Sequence, residues 1–459
     1  MQLKNGYTLL LDALSSSIPL PAGTSRGNTS SVHQVSHLCL SGSSTSPEPP
    51  PLFFLISLAP PSPSSNLRLL DAGRARQGKA RQGRAAPVGA RAERLCRGDP
   101  GRAVLPEGPS WKRNPSSETP YEVLKQALME DSLQTSIHMC HENGQWMSQL
   151  PEKLWDIPLY NLALPGSHDT MTYCLDKNSA VSGNECKLVK FLSKCIPCIV
   201  HPVIMKWSTT QVLTVTEQLE AGVRYLDFRI AHKPNDPSMN LYFVHMVYTI
   251  VTVQDILWEV LRWLETHPQE IVILACRNFD GLNKKLHCRL IAWIKEVFQC
   301  KLCPRNVVPT LRTMWQHGHQ VIVSYEEDVE VEEHCELWPA IPYWWGNKTT
   351  TRSLIRFLER MKRMGRPEKF FVAGINLTEN LRYILQHPFG SLKKMTLQSL
   401  PCLKIWIKQQ YPGPQKECIN IIAGDFIGND DFVKDVIELN TKINPSLTCQ
   451  RKGAGTSSS

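Results

Sequence analysis

The sequence predicts an α/β chain: a distorted TIM-like (β/α) barrel forming one catalytic domain behind a disordered N-terminal extension. Three observations carry this prediction. Beyond about residue 137, short apolar runs alternate with segments of helical period, the pattern of a buried parallel sheet covered by helices. Neither GxGxxG nor GxxxxGK followed by Ser or Thr appears, so the glycine-rich phosphate loop common in open doubly wound sheets is missing. Titratable residues gather at the C-terminal ends of successive runs, where barrels of this kind carry their chemistry.

The strand-like runs are YNLAL (160–164), VRYLDFRIA (223–231), LYFVHM (241–246), EIVILACRN (270–278), QVIVSYE (320–326), KFFVAGIN (369–376) and CINIIAGDF (418–426). Pro165 and Gly166 read as the turn that ends the first. Between the runs, Ile256, Leu257, Val260, Leu261 and Leu264 repeat with helical period before Pro268. Leu286, Leu290, Ile291, Ile294 and Val297 do the same, as do Leu354, Ile355, Leu358 and Met361. Phe432, Val433, Val436, Ile437 and Leu439 form the last such set.

Upstream the composition changes. Residues 1–136 are rich in Pro, Ser, Gly, Ala and Arg, and too poor in periodic apolar residues to offset the entropy of ordering them. They are expected to be disordered, with 137–449 as the barrel and 450–459 as a flexible tail. The net charge of +9 is concentrated there: residues 71–102 hold nine Lys or Arg against three acids, which leaves about +3 elsewhere. No aromatic residues interleave with those arginines, so a nucleic-acid surface is not indicated. The segment could touch anionic lipid, although a solvated tail is the simpler reading.

The first residues, MQLKNGYTLLLDALSSS, are interrupted by Asp12 and make a poor signal peptide. PLFFLISLAPP (51–61) is about half the length a membrane span needs. With fifteen cysteines, an odd number, a cytoplasmic chain with reduced thiols is expected. The pairs Cys195/Cys198 and Cys300/Cys303 lack the short partner spacing of zinc sites, and no cofactor is expected. Trp338, Trp344 and Trp345 suit core packing or a wall beside the substrate, with membrane contact the less favoured reading. Asn376-Leu377-Thr378 fits a glycosylation pattern that a cytoplasmic chain would not use.

The candidate site residues are His168 and Asp169 after the first run, Asp227 and Arg229 in the second, and His245 in the third. Arg277 lies near the end of the fourth and Asp425 near the end of the last. Singly, each is ordinarily a hydrogen-bonded histidine or one side of a structural ion pair. Together they make an acid/base set, since an imidazole changes charge near neutral pH and an arginine fork matches phosphate oxygens. Spacing alone leaves both readings open.

LWDIPLYNLALPGSHDTMTYCL, VTEQLEAGVRYLDFRI and YFVHMVY resemble the X domain of phosphatidylinositol-specific phospholipase C. HPQEIVILACRNFDGL, ELWPAIPYWWGN, FVAGINLTENL and NIIAGDFIG extend the likeness over roughly residues 140–449, with no pleckstrin, EF-hand or C2 module beside it. The resemblance implies that His168 is the base that activates the inositol 2-hydroxyl. His245 would be the acid that protonates the departing diacylglycerol oxygen. Asp425 would orient His168, Asp169 would support the acid side, and Asp227 would partner Arg229. Arg229 stands where bacterial members carry an arginine and calcium-dependent members carry a metal-binding carboxylate, so a metal-independent phosphodiesterase with a bell-shaped pH profile is expected. Arg277 is left with two readings, a contact to the headgroup or phosphate and one side of a structural ion pair. One departure concerns the fifth run, which ends in the acidic SYEED (324–328) where bacterial members place a basic residue; headgroup selectivity is thereby left open.

The implied partner is a phosphoinositide lipid met by peripheral, transient membrane contact, with no nucleic acid and no obligate protein partner. Two rivals differ in what they require. A glycerophosphodiester phosphodiesterase would need a cluster of metal-binding carboxylates; a catalytically idle lipid- or headgroup-binding module would not need both histidines.

Overall fold

The computed structural model describes residues 143–443. The extension (1–136) with its basic and apolar runs, and the tail (450–459), lie outside them. The strands are β1 Leu164–Ser167, β2 Tyr225–Ala231, β3 Tyr242–His245, β4 Val247–Thr252, β5 Val272–Asp280, β6 Val321–Tyr325, β7 Leu337–Trp338, β8 Tyr343–Trp344, β9 Val372–Gly374 and β10 Ile421–Gly424. Their order in the sheet is β7-β6-β5-β2-β1-β10-β9-β8, and every neighbouring pair in that order is parallel. Apart from the β3–β4 hairpin, chain order is therefore preserved around the sheet. It curls as a (β/α) barrel does, open between β7 and β8, and the predicted fold class holds.

The period of two along each strand sorts the side chains. In β2, Leu226, Phe228 and Ile230 join the apolar layer under the helices, while Tyr225 belongs to the separate interior cluster with Leu164, Ile273, Ala275, Ile421 and Ala423. Two and four residues beyond Tyr225 on the same face come Asp227 and Arg229. The same column gives Ile273, Ala275 and Arg277 in β5, Leu164, Gly166 and His168 from β1, and Ile421, Ala423 and Asp425 from β10. Apolar residues fill the floor, and charged ones form the layer above it at the strands' C-terminal ends.

Two sequence expectations need correction. Pro165 and Gly166 lie within β1 rather than in a turn after it, while residues 159–161 form a 3₁₀ turn. Leu164 donates to Asn420 on the β10 side, so the missing N–H of Pro165 faces β2, whose ladder with β1 begins only at Gly166. Gly166 is required by packing: a Cβ there would sit 2.9 Å from the Tyr225 ring and 3.2 Å from Ile421.

The run carrying His245 is not a barrel strand. β3 pairs antiparallel with β2 and with β4, because the short segment after β2 contains no helix to make the parallel crossover. In this register β3 retraces β2 toward Arg229, which is how His245 reaches the site.

The expected helices form. They are α4 Val253–Thr266, α5 Lys284–Phe298, α8 Thr351–Met364 and α11 Phe432–Glu438. Thr252 closes a capping box at the start of α4, and Asn283 caps α5. Unexpected are α1 Lys187–Cys195, α2 Pro197–Ser208, α3 Val215–Glu220, α6 Leu311–His317, α7 Asp328–Glu333, α9 Leu381–Gln386 and α10 Leu392–Lys408. Pro202 and Pro401 lie inside α2 and α10, where a proline reads as a break. No helix among the described residues is long and apolar enough to cross a membrane.

Candidate active site

His168 follows β1 directly, and its imidazole is held from both sides. Nδ1 lies 2.8 Å from Asp425 Oδ1, which makes it the protonated nitrogen, so Nε2 is the atom left to exchange protons. Around Nε2 are Arg229 Nη2 at 2.8 Å, Asp169 Oδ2 at 3.3 Å and Asn376 Nδ2 at 3.5 Å. His245 is fixed in the same sense. Its Nδ1–H donates to the carbonyl of Ser208 at 2.6 Å, and its Nε2 faces Asp169 Oδ2 at 3.4 Å.

Asp169 thus stands between the two rings. Its Oδ1 pairs with Arg229 Nε, while Oδ2 is buried, makes no hydrogen bond, and faces Nε2 of both histidines. Its backbone is in the left-handed region, with φ of 43°, unusual for a residue other than glycine. Asp227, below it in β2, accepts from the Asp169 backbone N–H at 3.1 Å and lies 3.5 Å from Arg229 Nη2. Arg277 sits one strand over in register with Arg229, 3.9 Å from Asp227, and its guanidinium lies over the Tyr343 ring. All seven residues singled out in the sequence are therefore joined in one network of contacts, and Asp169, Asp227, Arg229 and His245 among them line a cleft together with Phe243.

The charges perturb one another in definite directions. Burial disfavours the imidazolium at His168, but the carboxylates of Asp169 and Asp425 outweigh it and hold the pKa above the ordinary histidine value. At His245 burial prevails, assisted by Arg229, and the pKa is lowered despite Asp169. Burial would raise Asp227, yet Arg229 and Arg277 more than compensate and keep it ionised. Both guanidiniums overcome their own burial, Arg229 through Asp169 and Asp227 and Arg277 chiefly through Asp227, and hold their protons more firmly than free arginine.

His168, Asp169 and Asp227 offer ligand atoms within 4.8 Å of one another, a spacing at which a metal ion could be gripped. Two guanidiniums already lie against those carboxylates, so a divalent cation would meet two fixed positive charges or have to displace them. The other such group among the described residues, Glu330, Glu333 and His334, lies on and just after α7, and no described cysteine belongs to either. No disulfide joins the described cysteines.

Five residues beside the site were not assigned to it in the sequence. Tyr343, from the two-residue β8, donates to Asn376 Oδ1 at 2.9 Å and so turns the Asn376 amide nitrogen toward His168. Gly374 makes room, because a Cβ there would lie 2.4 Å from the Tyr343 ring. Glu379 is buried beside Asp425, and burial pushes its carboxyl up to about 7. Glu326, from the acidic SYEED, accepts from the Asn278 N–H at 2.7 Å and reaches Arg277 at 3.7 Å. Asn376 carried a signal, but as a glycosylation pattern; it is buried at the site. Trp338 and Trp344 are core residues.

Comparison with known proteins adds the following. A family model described as PI-PLC X matches residues 203–354. The chain is 59% identical over 307 residues to PI-PLC X domain-containing protein 1 of Homo sapiens, spanning 67% of this chain and 95% of that protein. It is 55% identical over 302 residues to the Mus musculus protein of the same name, spanning 66% and 88%. Among solved structures, a phosphatidylinositol-specific phospholipase C from Listeria monocytogenes superposes with a TM-score of 0.48 at 17% identity, covering 65% of this chain and 98% of that one.

Proposed function

The chain belongs to the family of PI-PLC X domain-containing proteins, and from that premise we propose that it is a phosphodiesterase that cleaves phosphatidylinositol in the manner of a phospholipase C. The products are diacylglycerol and an inositol phosphate formed through a 1,2-cyclic phosphate. One observation carries the proposal: a single buried carboxylate oxygen, Asp169 Oδ2, faces Nε2 of both His168 and His245 at 3.3 and 3.4 Å, beside Arg229. Two imidazoles with Nδ1 tied down and Nε2 turned into the site, flanking one arginine fork, suit proton removal and proton delivery on either side of a phosphorus atom.

His168 Nε2 takes the proton of the inositol 2-hydroxyl, and that oxygen attacks phosphorus. The charge that builds on the non-bridging oxygens is met by Arg229. His245 Nε2–H gives its proton to the departing diacylglycerol oxygen; water then opens the cyclic phosphate with the roles reversed. In the free site the carboxylates favour the proton on His168, and burial disfavours it on His245. A bound phosphodiester draws Arg229 onto its anionic oxygens, which frees the Nε2 lone pair of His168 for the 2-hydroxyl proton, and the same anionic charge stabilises the imidazolium at His245. The pH profile of kcat/KM is therefore a bell with one limb from each histidine. Arg229 and Arg277 supply the positive charge, and no metal is needed. The substrate lies in a bilayer, so membrane contact is peripheral and transient from the cytoplasmic side, with Arg277 reaching the headgroup or phosphate.

Turnover of phosphatidylinositol vesicles by the full chain, beside His168→Ala and His245→Ala, tests the proposal. Activity lost in both variants and retained in EDTA is expected. Wild-type turnover no higher than that of either variant would leave a binding module, and loss of activity in EDTA would favour the metal-dependent glycerophosphodiester phosphodiesterase.

A further inference from the structure

From the end of α2, the chain at residues 208–211 passes directly behind the site, and Ser208, Thr210 and Gln211 are completely buried there. The carbonyl of Ser208 holds His245 Nδ1. Thr210 Oγ1 lies 3.1 Å from the carbonyl oxygens of both His168 and Asp169. The carbonyl of Thr210 accepts from Phe426 N–H at 2.6 Å, the residue after Asp425. Gln211 Nε2 donates to the carbonyls of His168 at 2.9 Å and Gly424 at 3.0 Å, and its Oε1 accepts from Ile427 N–H at 3.1 Å.

The donors and acceptors are consistent with one another. Thr172 Oγ1 accepts from the backbone N–H groups of Thr210 and Gln211, at 2.9 and 2.8 Å. Its own proton is then available for Thr210 Oγ1, 2.8 Å away. That leaves the Thr210 hydroxyl proton for the two carbonyls, and both amide protons of Gln211 are used. Neither side chain lines the cleft around Asp169, Arg229 and His245.

We propose that Thr210 and Gln211 are positioning residues for the reaction, a strap that sets the loops carrying His168, Asp169 and Asp425 relative to the segment holding His245. The physical need is specific. Asp169 is in the left-handed backbone region, and its Oδ2 must keep both Nε2 atoms in reach. Its carbonyl and that of His168 are the groups the strap captures. A shift of about 1 Å in such a set costs on the order of 100-fold in rate, and the strap bonds the backbone of His168 and Asp169, the ring of His245, and Gly424 and Phe426 on either side of Asp425.

The test compares full-length Thr210→Val, which keeps the shape and loses the hydroxyl proton, with Thr210→Ser, which restores it. Gln211→Glu keeps the outline and loses both amide donors. In phosphatidylinositol vesicles, kcat is expected to fall about 100-fold in Thr210→Val and Gln211→Glu, with KM changed by less than about threefold and Thr210→Ser close to wild type. In parallel, the imidazole ¹⁵N signals of His168 and His245 should move in the two donor-loss variants and not in Thr210→Ser. Turnover rests on the function proposed above, whereas the imidazole signals do not. If the wild type cleaves nothing, the signals still decide, and unchanged signals overturn the strap. With an active wild type, kcat within about threefold in Thr210→Val overturns it too, as does an equal loss in Thr210→Ser, which would mark a merely steric role. Should Gln211→Glu fail to fold, the two Thr210 variants decide alone.

Discussion

Replacing Asp425 by Asn tests the bond on which the base assignment of His168 depends. The two side chains meet at 2.8 Å, with Asp425 wholly buried and His168 about nine-tenths so. A hydrogen bond to a charged partner in such a place contributes about 1.5–3 kcal/mol. Losing it should lower the His168 pKa, because the imidazolium then loses the carboxylate that stabilises it. The amide also permits the wrong tautomer, because its oxygen and its nitrogen can each face Nδ1, and a ring protonated on Nε2 cannot act as the base. Turnover should drop by about 10²–10⁴, as for other histidines that lose an orienting carboxylate. The direction of the stability effect follows from linkage. A histidine whose folded pKa is raised contributes stability below its unfolded pKa of about 6.5 and loses it as pH rises through the folded value. The difference between wild type and Asp425→Asn due to His168 should therefore be largest in acid and shrink toward alkaline pH. NMR titration of the His168 ring, with melts at three pH values, reads both. A His168 pKa unchanged in Asp425→Asn, or a stability gap that widens as pH rises, would refute the pairing as the cause of the shift.

Three further outcomes are expected. Arg229→Gln should lower kcat by about 10²–10³, with Arg229→Lys recovering part of it and added calcium recovering none; recovery by calcium would show that the carboxylates can take a metal once the guanidinium is gone. Gly166→Ala forces a Cβ to 2.9 Å from the Tyr225 ring and 3.2 Å from Ile421, so denaturant unfolding should show a loss of about 1–3 kcal/mol, and unchanged stability would mean that β1 yields there. Glu379 is held near 7 by burial, so the wild type should lose stability as pH rises from the unfolded carboxyl value through about 7, and Glu379→Gln should remove that slope; an identical pH dependence in the two proteins would place the carboxyl in contact with water.

The site was legible in the sequence to the extent that it follows the period of two. In β2 a single alternation puts Leu226, Phe228 and Ile230 under helices and Tyr225, Asp227 and Arg229 inside, so a charged pair on an otherwise buried strand had to be at its open end. His168 and Asp425 could be placed by the same rule. Errors arose where local chemistry was read without its neighbours. Pro165 and Gly166 signal a turn until Tyr225 and Ile421 are seen to occupy the space a side chain would need, and until β2 is seen to leave the proline nitrogen unclaimed. β7 and β8 span two residues each, too few for any period, and α2 and α10 contain prolines. Thr210 and Gln211 were invisible for a different reason. The Gln211 amide reaches a carbonyl 213 residues away in sequence, and backbone carbonyls look alike in every sequence. A titratable side chain announces its chemistry through its type, whereas a positioning residue acquires its role only from the backbone groups that folding brings to it. Residues that touch the reacting atoms can therefore be found by composition and period, and those that hold them in place must be sought among fully buried polar side chains whose every donor is already used.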